Sequence, residues 1–97
     1  MESSEKITKV CDNLKNFLLE KNKRYGDSVL SPIGVFSKTQ SNSLDFANQG
    51  IQRRIDDKLS RIKNSPILRK NDVVDLAGYL VLLMVNNGWD DFNELID

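Results

Sequence analysis

Residues 71–88 read NDVVDLAGYLVLLMVNNG, and they set the fold class. Val73, Val74, Leu76, Ala77, Leu80, Val81, Leu83, Met84 and Val85 make the stretch apolar on nearly every side. Asn71 is a good N-cap residue and Gly88 a stop signal, so a helix is expected from after Asn71 to about Asn87. A helix apolar all round has to be covered all round. This one is therefore read as the central helix of a bundle or as a subunit interface. Its polar exceptions are Asp72, Asp75 and Tyr79, which share one face by helical spacing.

Two amphipathic helices precede it. The first starts after Ser3 or Ser4 and ends near Lys23, with Gly26 as its stop. Its stripe is Ile7, Val10, Cys11, Leu14, Phe17 and Leu18. Lys21, Lys23 and Arg24 suit the negative end of its dipole. The second runs from about Gly50 to Lys63, with Ile51, Ile55, Leu59 and Ile62 as its buried face, and Asn64-Ser65-Pro66 ends it. Residues 25–50 between them are turn-rich, with Val35, Phe36, Leu44 and Phe46 as apolar anchors. Short helical turns are expected at Gly34–Lys38 and Ser43–Asn48. An ordered loop of this length in so small a domain is usually functional. After Gly88 a short last turn from Asp91 to Ile96 is expected, with Trp89, Phe92, Leu95 and Ile96 folded back as a cover. The expectation is one all-α domain over residues 1–97, three main helices plus short helical turns.

With 97 residues and 39% apolar composition the monomer core is small, so a homo-oligomer is expected. Fourteen basic and fourteen acidic residues cancel, which argues against non-specific nucleic-acid binding. Local basic groups remain at Lys21, Lys23 and Arg24, and at Arg53, Arg54, Lys58, Arg61 and Lys63. Without histidine there is no imidazole base or imidazole metal ligand. The lone cysteine, Cys11, makes no internal disulfide and is read as a core residue of the first helix. A reducing cytoplasm suits it. MESSEK lacks the basic-then-apolar pattern of a signal peptide, and the longest apolar run is too short to span a bilayer, so no membrane role is expected.

Three constellations carry chemistry. In IQRRIDDKLSRI, Arg54, Asp57, Lys58 and Arg61 lie on one helical face. They read either as solvated intrahelical ion pairs or as a site in which Asp57 holds a metal and the three cations meet phosphate oxygens. Which of Asp56 and Asp57 points inward depends on helix phase. Asp72 and Asp75 read either as first-turn carboxylates at the positive end of a dipole or as a pair converging on a hard cation such as Mg2+. Lys21 to Ser28, KNKRYGDS, reads as a basic helix end with a turn, or as a ligand loop. In the second case Tyr25 stacks on a base and Ser28 hydrogen-bonds the ligand.

In order, the motifs are Lys-x-x-x-Tyr-Gly-Asp-Ser, Arg-x-x-Asp-Lys-x-x-Arg and Asp-x-x-Asp-Leu-x-x-Tyr. This order, over residues 14–85, resembles the phage and bacterial nucleotide modification associated domains. These are similar to the all-α nucleoside triphosphate pyrophosphatases of the MazG and dimeric dUTPase type. The resemblance implies a MazG-like all-α fold, an oligomer and a Mg2+-assisted nucleotide site. It makes Asp57, Asp72 and Asp75 the metal ligands and catalytic carboxylates. Lys21, Arg54, Lys58 and Arg61 become phosphate contacts, and Tyr25, Ser28 and Tyr79 contacts to base or sugar. The Glu-Glu-x-x-Glu motif of the MazG type is missing; Glu20 is a further acid that the first helix can offer. Three aspartates leave little for a base beside the metal. Two functions therefore stand open: pyrophosphohydrolysis of a nucleotide, or retention of a nucleotide-derived signal without cleavage. A protein-binding inhibitor, docking through the third helix and the tail, is a third.

Overall fold

Three helices, and a 3₁₀ turn near the C-terminus, make up the regular structure of a computed structural model that describes residues 2–25 and 44–96. Helix α1 spans Ser3–Tyr25, α2 Leu44–Asn64 and α3 Lys70–Asn87, and the 3₁₀ turn spans Asn93–Leu95. The chain is all-helical among the described residues, as its periodicity requires. Gly26, Ser28 and the expected turn at Gly34–Lys38 lie outside the described residues, as does the side chain of Tyr25.

Helix α2 begins at Leu44, about one and a half turns before the expected start at Gly50. The separate turn expected at Ser43–Asn48 is its first stretch. The reason is burial: Ala47 and Ile51, one turn apart, are the buried apolar residues among those described. Anchoring both on α3 requires helix through Gly50, and this outweighs a glycine penalty of about 1 kcal/mol.

At about 100° per residue, Ala47, Ile51, Ile55, Lys58 and Ile62 fall within roughly 40° of Ile51, whereas Leu59 is about 80° away. Leu59 is accordingly exposed, and Lys58 takes the inward place expected for it. Arg54 and Arg61 fall on the opposite edge of the same stripe.

Helix α3 starts at Lys70 rather than after Asn71. Arg69 is its N-cap, in extended conformation and without a side-chain cap bond. Its first backbone bond runs from the Val73 N–H to the Arg69 carbonyl. The C-terminal end is as read. Gly88 adopts φ 72°, its N–H donates to Val85 O, and Trp89 N–H donates to Met84 O. This paired arrangement is a Schellman motif, which needs a residue at ease with positive φ.

Val73, Leu80 and Val85 are exposed, so α3 is not enclosed within this chain, and of its two readings the subunit interface stays open. Trp89, Phe92, Leu95 and Ile96 are exposed as well and do not cover the bundle. The tail is held locally instead, by Asn93 N–H on Asp91 Oδ1 and by the 3₁₀ bonds.

Helix α2 packs along α3, while α1 meets α3 over a short stretch. There Leu18 lies against Gly78, which is buried. A β-carbon on Gly78 would stand 3.0 Å from Leu18 Cδ2, so a side chain here would require Leu18 to give way. The first half of α1 receives no such cover. Cys11, read as a core residue, is exposed for that reason.

Candidate functional site

The α2–α3 seam brings together Arg54, Lys58, Asp75 and Tyr79 of the residues singled out in the sequence. Lys58 Nζ of α2 reaches Asp75 Oδ2 of α3 at 3.0 Å, with side chains 14% and 30% exposed. One turn earlier, the Arg54 guanidinium sits over the Tyr79 ring, 6.0 Å from its centroid. Asp75 and Tyr79 are themselves one turn apart on α3, so the contacts are two rungs of one ladder. A cation over an aromatic face is attracted by the ring quadrupole, and each rung joins the helices.

Arg61 continues the cation row on α2. It does not cross to α3: its Nε donates to Asp57 Oδ2 at 3.1 Å on the same helix, both side chains more than half exposed. Asp57 lies about 120° from Ile51 around α2, which is why it faces outward. Asp56 is exposed too, so neither neighbour points inward.

Asp72 is the polar anomaly of the fold. It is almost fully buried in the first turn of α3, where its charge suits the dipole. Its Oδ2 has no hydrogen-bond partner among the described residues. The Arg69 Nε is 3.5 Å away, a charge contact rather than a hydrogen bond. Asp75 does not assist the cap; it is committed to Lys58.

These placements bear on Mg2+. Asp57 faces Arg61, Asp72 faces Arg69 and Asp75 faces Lys58. Among the described residues no three acidic or thiol side chains are grouped to hold a metal ion. Among the described residues each of the three aspartates thus faces a cation of its own rather than the other two carboxylates.

Lys21 of α1 lies over the Phe17 ring at 5.3 Å. Glu20, the further acid, pairs with Arg24 at 3.0 Å on the α1 surface. Two clefts of about 510 Å³ lie away from the seam. One is a shallow strip along the first turns of α1, lined by Ser4, Thr8 and Asp12 among others. The other is formed by the tail, with Met84, Trp89, Phe92 and Glu94. Neither includes a candidate nucleotide- or metal-binding residue; the second is lined by Trp89, Phe92 and Leu95 of the tail read from the sequence as a protein-docking surface.

A carboxamide cluster escaped the sequence reading. Asn48 of α2 accepts at Oδ1 from Asn86 Nδ2 and Asn87 Nδ2, both at 2.9 Å, and donates to Asn87 Oδ1 at 3.2 Å. Asn87 Nδ2 also donates to Leu83 O at 2.8 Å. The clasp ties the start of α2 to the end of α3. Asn86-Asn87 before a glycine was visible, but its partner was hidden in a stretch not read as continuous helix.

The chain matches no protein-family model, no curated protein and no solved structure.

Proposed function

We propose that the α2–α3 seam binds a phosphorylated nucleotide or a nucleotide-derived small molecule. The observation that carries this reading is the row Arg54, Lys58 and Arg61 along one edge of α2, with the Tyr79 ring beside it on α3. Guanidinium groups present planar forks suited to phosphate oxygens. Tyr79 offers a half-buried ring against which a base can stack, and Lys21, Tyr25 and Ser28 are the remaining candidate contacts. The resemblance to nucleotide modification associated domains points the same way.

Retention rather than cleavage is the chemistry the seam supports best. Asp57 and Asp75 are each engaged by a cation, and Asp72, though its Oδ2 accepts no hydrogen bond, is buried beside Arg69 and apart from the other two carboxylates. Pyrophosphohydrolysis would require Lys58 and Arg69 to leave Asp75 and Asp72. A homo-oligomer acting as a sponge or sensor for a nucleotide signal is the biological form of this reading.

The test is retention and release. The protein is mixed with nucleoside triphosphates, cyclic dinucleotides and ADP-ribose derivatives, with and without Mg2+. It is then filtered and denatured, and the released species are identified by chromatography. One compound recovered intact is expected. Arg54→Ala and Tyr79→Ala should each reduce its retention about tenfold, the scale of one partly desolvated cation or stacking contact. Unchanged retention in both variants would remove the seam as the site. Monophosphate and pyrophosphate appearing only with Mg2+ would replace retention with hydrolysis.

A further inference from the structure

We propose that α1 is a self-recognition element, pairing antiparallel with α1 of a second copy of this chain about a two-fold axis near residue 12. The proposal is independent of what the seam binds. It starts from exposed apolar side chains: Ile7 is 63% exposed, Val10 65% and Phe17 41%, on a helix that among the described residues is half-buried at Leu14 and Leu18, where it meets α3. An uncovered apolar stripe of this kind marks an interaction surface.

The occupant is argued from the pattern of the helix itself. Ile7, Val10, Leu14, Phe17 and Lys21 alternate three and four residues apart, the spacing of a coiled-coil seam. Antiparallel about residue 12, Ile7 meets Phe17 of the second copy and Val10 meets its Leu14, and the symmetry repeats both layers. Ser3 and Lys21 form the outermost layers, polar where the pair meets water.

The flanking charges agree with this register. On the side away from α3, Lys6 faces Glu20 of the second copy, once at each end, and Asn13 faces its own counterpart across the axis. Glu20 is surface-exposed and pairs, among the described residues, with Arg24, itself exposed, which leaves room for a second cation. The parallel arrangement is opposed by the same residues, because it would set Lys21 against Lys21 and Arg24 against Arg24 in the seam. Leu18, which holds α3, lies on the other flank and stays in place. The open edge of α1 is thus complementary to itself in one orientation.

Sedimentation equilibrium at low salt reads the dimer directly. Val10→Asp should abolish it with an unchanged urea midpoint for the monomer, because Val10 touches the core of its own chain little. Lys6→Glu and Glu20→Lys should each weaken the dimer about tenfold by setting like charges opposite, and the double exchange should restore it. Asn13→Cys in a Cys11→Ser background should be joined to its counterpart by a short bismaleimide, which antiparallel pairing allows and parallel pairing forbids. A monomeric wild type overturns the proposal and leaves the face to another occupant. A dimer indifferent to Val10→Asp, or charge exchanges that fail to rescue each other, overturns it equally.

Discussion

Replacing Lys58 by methionine keeps the length of the stem and removes the ammonium, leaving the Asp75 carboxylate facing α2 alone. The pair is 3.0 Å apart, so its Coulomb attraction at an effective dielectric of 20 is about 5 kcal/mol, a ceiling before desolvation is subtracted. Fully exposed pairs contribute about 0.2–1 kcal/mol, and loss of one partner of a buried pair costs about 3–5 kcal/mol. With side chains 14% and 30% exposed, Lys58 and Asp75 fall between these limits. Lys58→Met should therefore lower stability by about 2 kcal/mol. Asp75→Asn, which leaves the more deeply placed ammonium without its counter-charge, should lower it by a similar amount.

The assay is urea unfolding of wild type, both single variants and the double variant, followed by far-UV circular dichroism. The double variant should cost less than the sum of the singles, because each single already forfeits the pair. A coupling of about 1–2 kcal/mol at low salt is expected, and it should shrink only modestly as salt rises, since a half-buried pair is poorly screened. A coupling near zero would refute the reasoning. Lys58 would then be a solvated cation, and the contact between α2 and α3 would rest on apolar packing, the Arg54–Tyr79 rung and the asparagine clasp.

Three further substitutions test the fold. Gly50 lies inside α2 without positive φ, and a β-carbon there meets nothing within 4 Å, so Gly50→Ala should raise stability by about 0.5–1 kcal/mol. The check is a higher thermal midpoint; a lower one would mean that α2 does not run through Gly50. Gly78→Val should do the reverse, costing about 1–3 kcal/mol through overpacking against Leu18, and Leu18→Ala in the same chain should recover part of the loss. Asn48→Ala removes the hub of the carboxamide clasp and should cost about 1–3 kcal/mol, with faster amide exchange at the end of α3.

The helices were legible because their periodicity, and in α3 the closing Gly88, all agreed. What the sequence hid was which side of each helix has a partner. The stripe of α1 looks like a core face, and by local pattern it is one. Nothing in Ile7, Val10 and Cys11 says that the chain leaves them uncovered. The start of α2 was missed because Gly50 reads as a boundary, while the burial of Ala47 that overrides it is a tertiary fact. Arg54, Lys58, Asp75 and Tyr79 were chosen correctly as neighbours across two helices, since spacing fixes which residues share a face. Asp57 was not, because its phase about α2 differs from that of Lys58 by about 100°. The carboxamide clasp links residues 38 and 39 positions apart in the chain, a separation at which pairwise reading of local motifs carries no information.

The charges along the seam are graded in a way that bears on how an anion would enter. Arg61 is held by an exposed carboxylate on its own helix, an arrangement worth only a few tenths of a kcal/mol, so a phosphate can draw it away at little cost. Arg54 is exposed and, among the described residues, is held by a ring rather than by an acid, so it can meet a phosphate without giving up an ion pair there. Lys58 is different. To reach a phosphate it has to leave Asp75 half-buried and uncompensated, and that cost subtracts from affinity. If the seam binds a phosphorylated ligand as proposed, first contact belongs to the two arginines. Lys58 serves chiefly to hold α2 and α3 at the spacing that keeps Arg54 beside Tyr79. On this account Lys58→Met weakens the fold more than it weakens binding per folded molecule, whereas Arg54→Ala does the opposite. Measuring retention and unfolding on the same two variants separates these roles, and equal losses of retention from both would show that Lys58 is itself a phosphate contact.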